Sequence, residues 1–271
     1  MGQLIDKMTQ DYLEDILVRL AHHSSAIEGN TITLPETVTI ILKDTLPNNS
    51  KITRREFYEV DNHQQAFEFM IHSIRNDVEL SVSIVKEIHE LLTERLQHDK
   101  GQFKTEENYI KGAEFNTAPP GQVPLLMEQL IGNLNYRLDV ATTDESILAA
   151  VLETHIQFEK IHPFSDGNGR TGRMVMNYAL LANDLPPLII KKSERNTYMQ
   201  ILGEAQVKVF PSAEDLQKFI AFATPMIAEE RKRMSAFSNK ESKQIKNIME
   251  STEEQTKRED KCEKRFNQDK A

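Results

Sequence analysis

His162-Pro163-Phe164-Ser165-Asp166-Gly167-Asn168-Gly169-Arg170-Thr171-Gly172-Arg173 is the stretch around which this chain is organised. It sets a histidine, a carboxylate, a Gly-Asn-Gly run and two arginines side by side. Gly167, Asn168 and Gly169 fall between a loop and a helix, where glycine permits φ > 0 and backbone N–H groups converge. The helix beginning there adds its free N–H groups and the positive end of its dipole, so the turn suits an anion. Arg170 and Arg173 are neighbours in the first turn of that helix, where positive charge is disfavoured. A polyphosphate would neutralise both, its oxygens matching their planar forks. Asp166 offers an oxygen to Mg2+, which favours one or two carboxylates plus substrate phosphates. His162, with a reference pKa of ~6.5, is matched to taking a hydroxyl proton at neutral pH. Phe164 reads as an apolar anchor. A Gly-rich helix entry with exposed arginines is the plainer alternative, but the coincidence of base, carboxylate, turn and paired arginines favours a phosphate site. It is neither a Walker loop nor a kinase loop, since the residues of both are missing.

Outward from this stretch, apolar residues recur mostly at helical spacing. Residues 6 to 28 read as an amphipathic helix through Leu13, Ile16, Leu17, Leu20 and Ile27, with Gly29 in the C′ position. Glu28 then stands at the negative end of a helix dipole, unfavourable by roughly 0.3–1 kcal/mol unless a cation pairs with it. Ser24 shares its face, four residues earlier. Thr33-Leu34-Pro35-Glu36 fits a capping box opening a helix to about Lys43. A helix is predicted from about Thr53 to Ile74, and Ser81 caps the next, on which His89 reads as a core histidine. The period breaks over residues 101 to 120, where Tyr109 to Phe115 read as a short hairpin or flap, or else a plain loop. Helices resume at Val123 and from Ile147 to Phe158, with His155 read as a core residue, and continue after the motif to about Asp184. Two more surround Tyr198 and Leu216 to Ile227, the second kinked or ended by Pro225.

Composition narrows the partners. At 271 residues and a formal charge of −9, with basic residues scattered among acidic ones, the chain lacks the footprint of a nucleic-acid binder. Cys262 is the one cysteine, so no intrachain disulfide or cysteine-based metal site is expected, and a reducing cytoplasm fits. No apolar run approaches the ~18 residues of a membrane span and the N-terminus lacks a basic lead, so no membrane partner and no secretion are expected.

From His162 to Arg173 the chain resembles the Fic family. This run is similar at every fixed position to the signature His-Pro-Phe-x-Asp-Gly-Asn-Gly-Arg-x-x-Arg. Ser24 to Asn30 resembles the inhibitory motif of Fic proteins with an N-terminal inhibitory helix, and Lys111 to Pro120 resembles the target-binding flap. The resemblance covers roughly residues 10 to 225. It implies an all-α fold, a Fic-type helical bundle with one short β-hairpin flap, arranged as an inhibitory helix region (1–50), a catalytic core (51–235) and a charged tail, helical or disordered (236–271).

The activity implied is transfer of AMP from ATP to a Ser, Thr or Tyr hydroxyl of a target protein or of the chain itself. By position, His162 would be the base and Asp166 the Mg2+ ligand. Gly167, Asn168 and Gly169 would cradle phosphate oxygens, with Arg170 on the β-phosphate and Arg173 on the γ-phosphate. The resemblance places adenine near Tyr198, Met199 and Gln206, adds Lys111 and Gly112 to the nucleotide site, and docks the target near residues 109–120. Ser24 and Glu28 would be regulatory, Glu28 inhibiting through Arg173. A hydrolase removing AMP, with Glu28 orienting water, and a non-catalytic nucleotide-binding module remain as alternatives. A homo-oligomer is left open.

Overall fold

Four of the helices begin where a short polar side chain caps them. Thr9, Thr53, Ser81 and Thr143 each accept the backbone N–H of the third residue on, satisfying a donor that the helix leaves free. The computed structural model describes residues 3–48, 51–110 and 115–268, with side chains to residue 240 in the last helix. Among these residues are ten α-helices: α1 Gln3–Asp6, α2 Gln10–Ile27, α3 Leu34–Lys43, α4 Arg54–Arg75, α5 Val82–Leu92, α6 Val123–Val140, α7 Asp144–Ile161, α8 Asn168–Ala182, α9 Arg195–Gln206 and α10 Ala213–Gln268. No strand occurs among the described residues.

α8 is the axis of the bundle. From Arg170 to Leu181 every residue is buried, polar ones included, because α2, α4, α5 and α7 all pack on it. A helix enclosed on all sides carries Arg170 and Arg173 into the interior. Phe158, Phe164, Tyr178, Tyr198 and Phe219 fill the space around it and are fully buried, each contributing on the order of 1.5–3 kcal/mol of apolar burial.

α2 spans the molecule between two polar anchors. Near its start, Tyr12 donates to Glu230 Oε1 of α10 at 2.8 Å, and Arg19 Nη1 donates to Glu230 Oε2 at 2.8 Å. At its other end stand Ser24 and Glu28. Glu28 is the C-cap, Gly29 takes φ 103°, Gly29 N–H donates to Ala26 O at 3.2 Å and Asn30 N–H to Ser25 O at 3.1 Å. This is the Schellman arrangement that a C′ glycine permits.

Two expectations change, and a third is left untested. The helix predicted from residue 6 starts at Gln10, because Thr9 caps there and a separate short helix precedes it. Pro225 neither ends nor replaces α10, which runs through it to Gln268 and carries the charged tail along. Both Pro225 and Ala221, whose carbonyl loses its helical partner, are exposed, so water can take that carbonyl. The hairpin falls largely on residues 111 to 114, outside the described residues; the flanking residues 109–110 and 115–119 form no strand. Thr117 ties those flanks together, its Oγ1 lying 2.8 Å from Asn108 O.

Candidate active site

α7 delivers the chain into the site and stops abruptly. His162 takes a left-handed conformation, φ 52°, while its N–H still reaches Phe158 O at 2.9 Å. A non-glycine residue held there costs on the order of 1–3 kcal/mol and persists because the surroundings fix it. Phe164 does much of the fixing. It is fully buried and stacks on His89 with ring centroids 3.7 Å apart and planes 3° from parallel. The Asn168 side chain clamps Phe164 from both sides, accepting its N–H and donating to its carbonyl, each at 2.8 Å. His89 Nδ1 accepts Gly101 N–H at 2.9 Å, which leaves Nε2 to donate to Asp166 O at 3.0 Å. His89 is the core histidine that the sequence predicts, and it props up the loop. Gly167 closes the turn at φ 80°, where a Cβ would meet Thr93 Cγ2 at 2.9 Å.

These constraints leave a cleft of about 220 Å3, lined by Glu28, Arg55, Glu59, His162, Asp166, Gly167, Asn168, Gly169 and Arg170. The Nδ1 of His162 lies 3.2 Å from Glu159 O, so Nδ1 carries the proton and Nε2 is free to accept one. Burial pulls the His162 pKa down to about 4, keeping the imidazole neutral near pH 7. Burial alone would raise the Asp166 pKa, but Arg55, Arg170 and Gly167 N–H outweigh it and hold the carboxyl below its ordinary value. Its Oδ1 accepts Gly167 N–H at 2.7 Å and its Oδ2 accepts Arg55 Nη2 at 2.5 Å. Arg170 is 3% exposed, and its Nε and Nη1 have no hydrogen-bond partner. A buried guanidinium with two unpartnered donor nitrogens, beside the first N–H groups of a helix, is suited to anionic oxygens.

Arg173, by contrast, is engaged through Nε and Nη2. Its Nε donates to Ser24 Oγ at 3.0 Å, while Nη2 donates to Ser24 O at 3.0 Å and to Glu28 Oε1 at 2.7 Å. The Glu28 carboxylate lies over Gly169, where a Cβ would come within 2.3 Å of its Oε1. The last turn of α2 is thereby seated on the first turns of α8. Residues 79–180, which hold this cleft apart from its α2 and α4 contributions, match the Fic/DOC family model. These residues belong to the Fic/DOC family.

Among curated Fic proteins, the protein adenylyltransferase Fic of Drosophila yakuba is 30% identical over 203 residues, covering 74% of this chain and 38% of that protein. The Drosophila melanogaster protein of the same name gives the same figures. The chain thus spans about two-fifths of the length of these relatives. A Fic-domain protein of Bacteroides thetaiotaomicron has the same fold, with a TM-score of 0.74, 21% identity and coverage of 86% of this chain and 96% of that one. Fic-1 of C. elegans, residues 134–508, aligns with a TM-score of 0.71 and 22% identity over 89% of this chain and 68% of that one.

Within this Fic fold, the residues expected around adenine stand on α9 and are not among those lining the cleft. Tyr198 is fully buried, its hydroxyl 2.7 Å from His155 Nε2, and Gln206 is buried with Nε2 donating to Ile156 O at 3.2 Å. α9 turns these two side chains inward to pack on α7, and Met199 is partly buried against the same core. Lys111 and Gly112 lie outside the described residues. Arg55 and Glu59 of the cleft went unmarked by sequence, because an i,i+4 Arg/Glu pair reads as ordinary helix-surface chemistry. No helix among the described residues is long and apolar enough to cross a membrane.

Proposed function

We propose that this chain transfers AMP from ATP to a hydroxyl of a target protein, and that Glu28 holds it inactive through Arg173. The observation that carries the reading is the contrast between two neighbouring arginines of α8: Arg170, which lines the cleft, has two buried donor nitrogens without a hydrogen-bond partner, and Arg173 is occupied by Ser24 and Glu28. Relatives named protein adenylyltransferase support the reaction class.

ATP enters with its phosphates against the amides of Asn168, Gly169 and Arg170, the β-phosphate taking the free fork of Arg170. The target hydroxyl gives its proton to His162 Nε2 as its oxygen bonds to the α-phosphorus. The α–β phosphoanhydride bond breaks, and pyrophosphate leaves with the negative charge held by Arg170 and, once freed, Arg173. Magnesium fits this donor set: Asp166 supplies one hard carboxylate oxygen at the cleft, and the described residues hold no cluster of three ligands that would make a protein-only cage. Bound at Asp166, Mg2+ would neutralise phosphate charge and ease the departure of pyrophosphate. The target would approach by the flap, near residues 109–120.

While Glu28 occupies Arg173, the γ-phosphate has no anchor, and charge-assisted hydrogen bonds of this kind are each worth roughly 1.5–3 kcal/mol. ATP then binds without the geometry for attack. The test is modification of protein by Glu28→Gly supplied with ATP labelled at the α- or the γ-phosphate; label from γ alone would mean a kinase. A second reading has its own observation, since the Glu28 carboxylate itself lines the cleft together with His162. Placed there, it could orient water for removal of AMP from a modified target. Loss of AMP from a premodified protein with wild type, abolished in Glu28→Gly, would establish that activity, and no loss would remove it.

A further inference from the structure

Arg55 stands in the first turn of α4, and nothing in the Fic signature involves it. Its Nη2 donates to Asp166 Oδ2 at 2.5 Å and its Nε to Glu59 Oε1 at 2.9 Å. The other oxygen of Glu59 accepts Asn30 Nδ2 at 3.0 Å, and that amide also donates to Glu56 O at 2.9 Å. Asn30 is 4% exposed and comes directly after Glu28 and Gly29. A continuous hydrogen-bonded chain, Asn30 to Glu59 to Arg55 to Asp166, therefore runs from the inhibitory turn to the carboxylate of the cleft.

Each oxygen of that carboxylate already accepts one hydrogen bond from the protein. Gly167 N–H takes one oxygen at 2.7 Å, and the guanidinium of Arg55 takes the other. A divalent cation sits only ~2.1 Å from its oxygen ligands and demands near-ideal geometry. It cannot share an oxygen with a guanidinium at hydrogen-bonding distance without bringing like charges together.

We propose that Arg55 is a positioning residue for Asp166: in the closed form it holds the cation's place, and its tether through Glu59 to Asn30 couples its release to withdrawal of the inhibitory turn. The inference rests on the transferase reading and extends it. One turn of chain then disables both ends of the triphosphate site, Arg173 through Glu28 and Asp166 through Arg55. Because the Arg55 and Asp166 side chains are 58% and 48% exposed, the hold on Asp166 amounts to a factor of about two to five and acts as a bias.

Metal affinity tests this directly. Mn2+ serves as the probe, its free concentration followed by electron paramagnetic resonance with saturating ADP present. Arg55→Gln tightens Mn2+ by about two- to fivefold over wild type, Arg55→Lys stays near wild type, and Asp166→Asn loses the site. Asn30→Ala tightens Mn2+ by a smaller factor, and an unchanged value there would sever the tether from the proposal. A merely structural Arg55 would lower the melting temperature and leave Mn2+ affinity where it was. If Arg55→Gln holds Mn2+ no more tightly than wild type while Glu28→Gly holds Mn2+ with ADP, the inference on Arg55 alone is overturned. If no variant, Glu28→Gly included, holds Mn2+ with ADP, the nucleotide reading fails and this inference with it.

Discussion

Glu28 Oε1 lies 2.7 Å from Arg173 Nη2, which pairs a carboxylate at the negative end of α2 with a guanidinium in the second turn of α8, on the positive side of that helix. Glu28 caps the C-terminus of α2, and Arg173 lies close to the N-terminus of α8. Joined, they cancel two local penalties. Separated, Arg173 is a buried cation in want of an anion, a place that the γ-phosphate would take under the proposed transfer.

Ser24 shares the work of holding Arg173. Ser24→Ala removes the Nε hydrogen bond and leaves the bonds to Ser24 O and Glu28 in place. Automodification with α-labelled ATP is therefore expected above wild type and below Glu28→Gly. A value equal to wild type would show that the hydroxyl contributes nothing to the latch.

Two glycines on helices separate packing from conformational entropy. A Cβ at Gly172 would sit 2.4 Å from Glu159 Oε1 and 2.9 Å from the Phe158 ring, so Gly172→Ala should cost about 1–3 kcal/mol through overpacking. A Cβ at Gly132 in α6 meets nothing within 4 Å, and Gly132→Ala should gain about 0.4–1 kcal/mol. Urea unfolding of the two variants beside wild type measures both signs.

Stability should peak at mildly acidic to neutral pH. His63 and His155 are fully buried, and burial lowers each from 6.5 to about 3. The unfolded chain binds these protons and the native protein does not, so stability is lost as pH falls from 6.5 towards 3. Glu159 runs the other way. Burial raises it from 4.5 to about 8, so its contribution is full below 4.5 and is lost as pH rises towards 8. Urea midpoints across this range should show both flanks, and Glu159→Gln should flatten the alkaline one alone.

The parts of the site legible in sequence are those whose chemistry is contiguous or whose local rule is visibly broken. His162, Asp166 and the Gly-Asn-Gly turn sit within one short run, and Glu28 and Arg173 each oppose a helix dipole. Arg55 obeys every local rule on α4, and its role exists only because the fold brings it against Asp166, 111 positions along the chain. Tyr198 shows the converse limit. The spacing of its helix gives no sign that its hydroxyl meets His155 on α7. Pro225 reads as a breaker and does not break α10, because the carbonyl it frees is on the solvent side. The capping box at Thr33 was open to local reading and sets a helix start.

The latch between Glu28 and Arg173 is tested most directly by protein labelling from α-labelled ATP in wild type, Glu28→Gly and the double variant Glu28→Gly/Arg173→Ala. Strong labelling in Glu28→Gly, little in wild type and little in the double variant is the predicted result. Equal labelling of wild type and Glu28→Gly, or full labelling of the double variant, would contradict it.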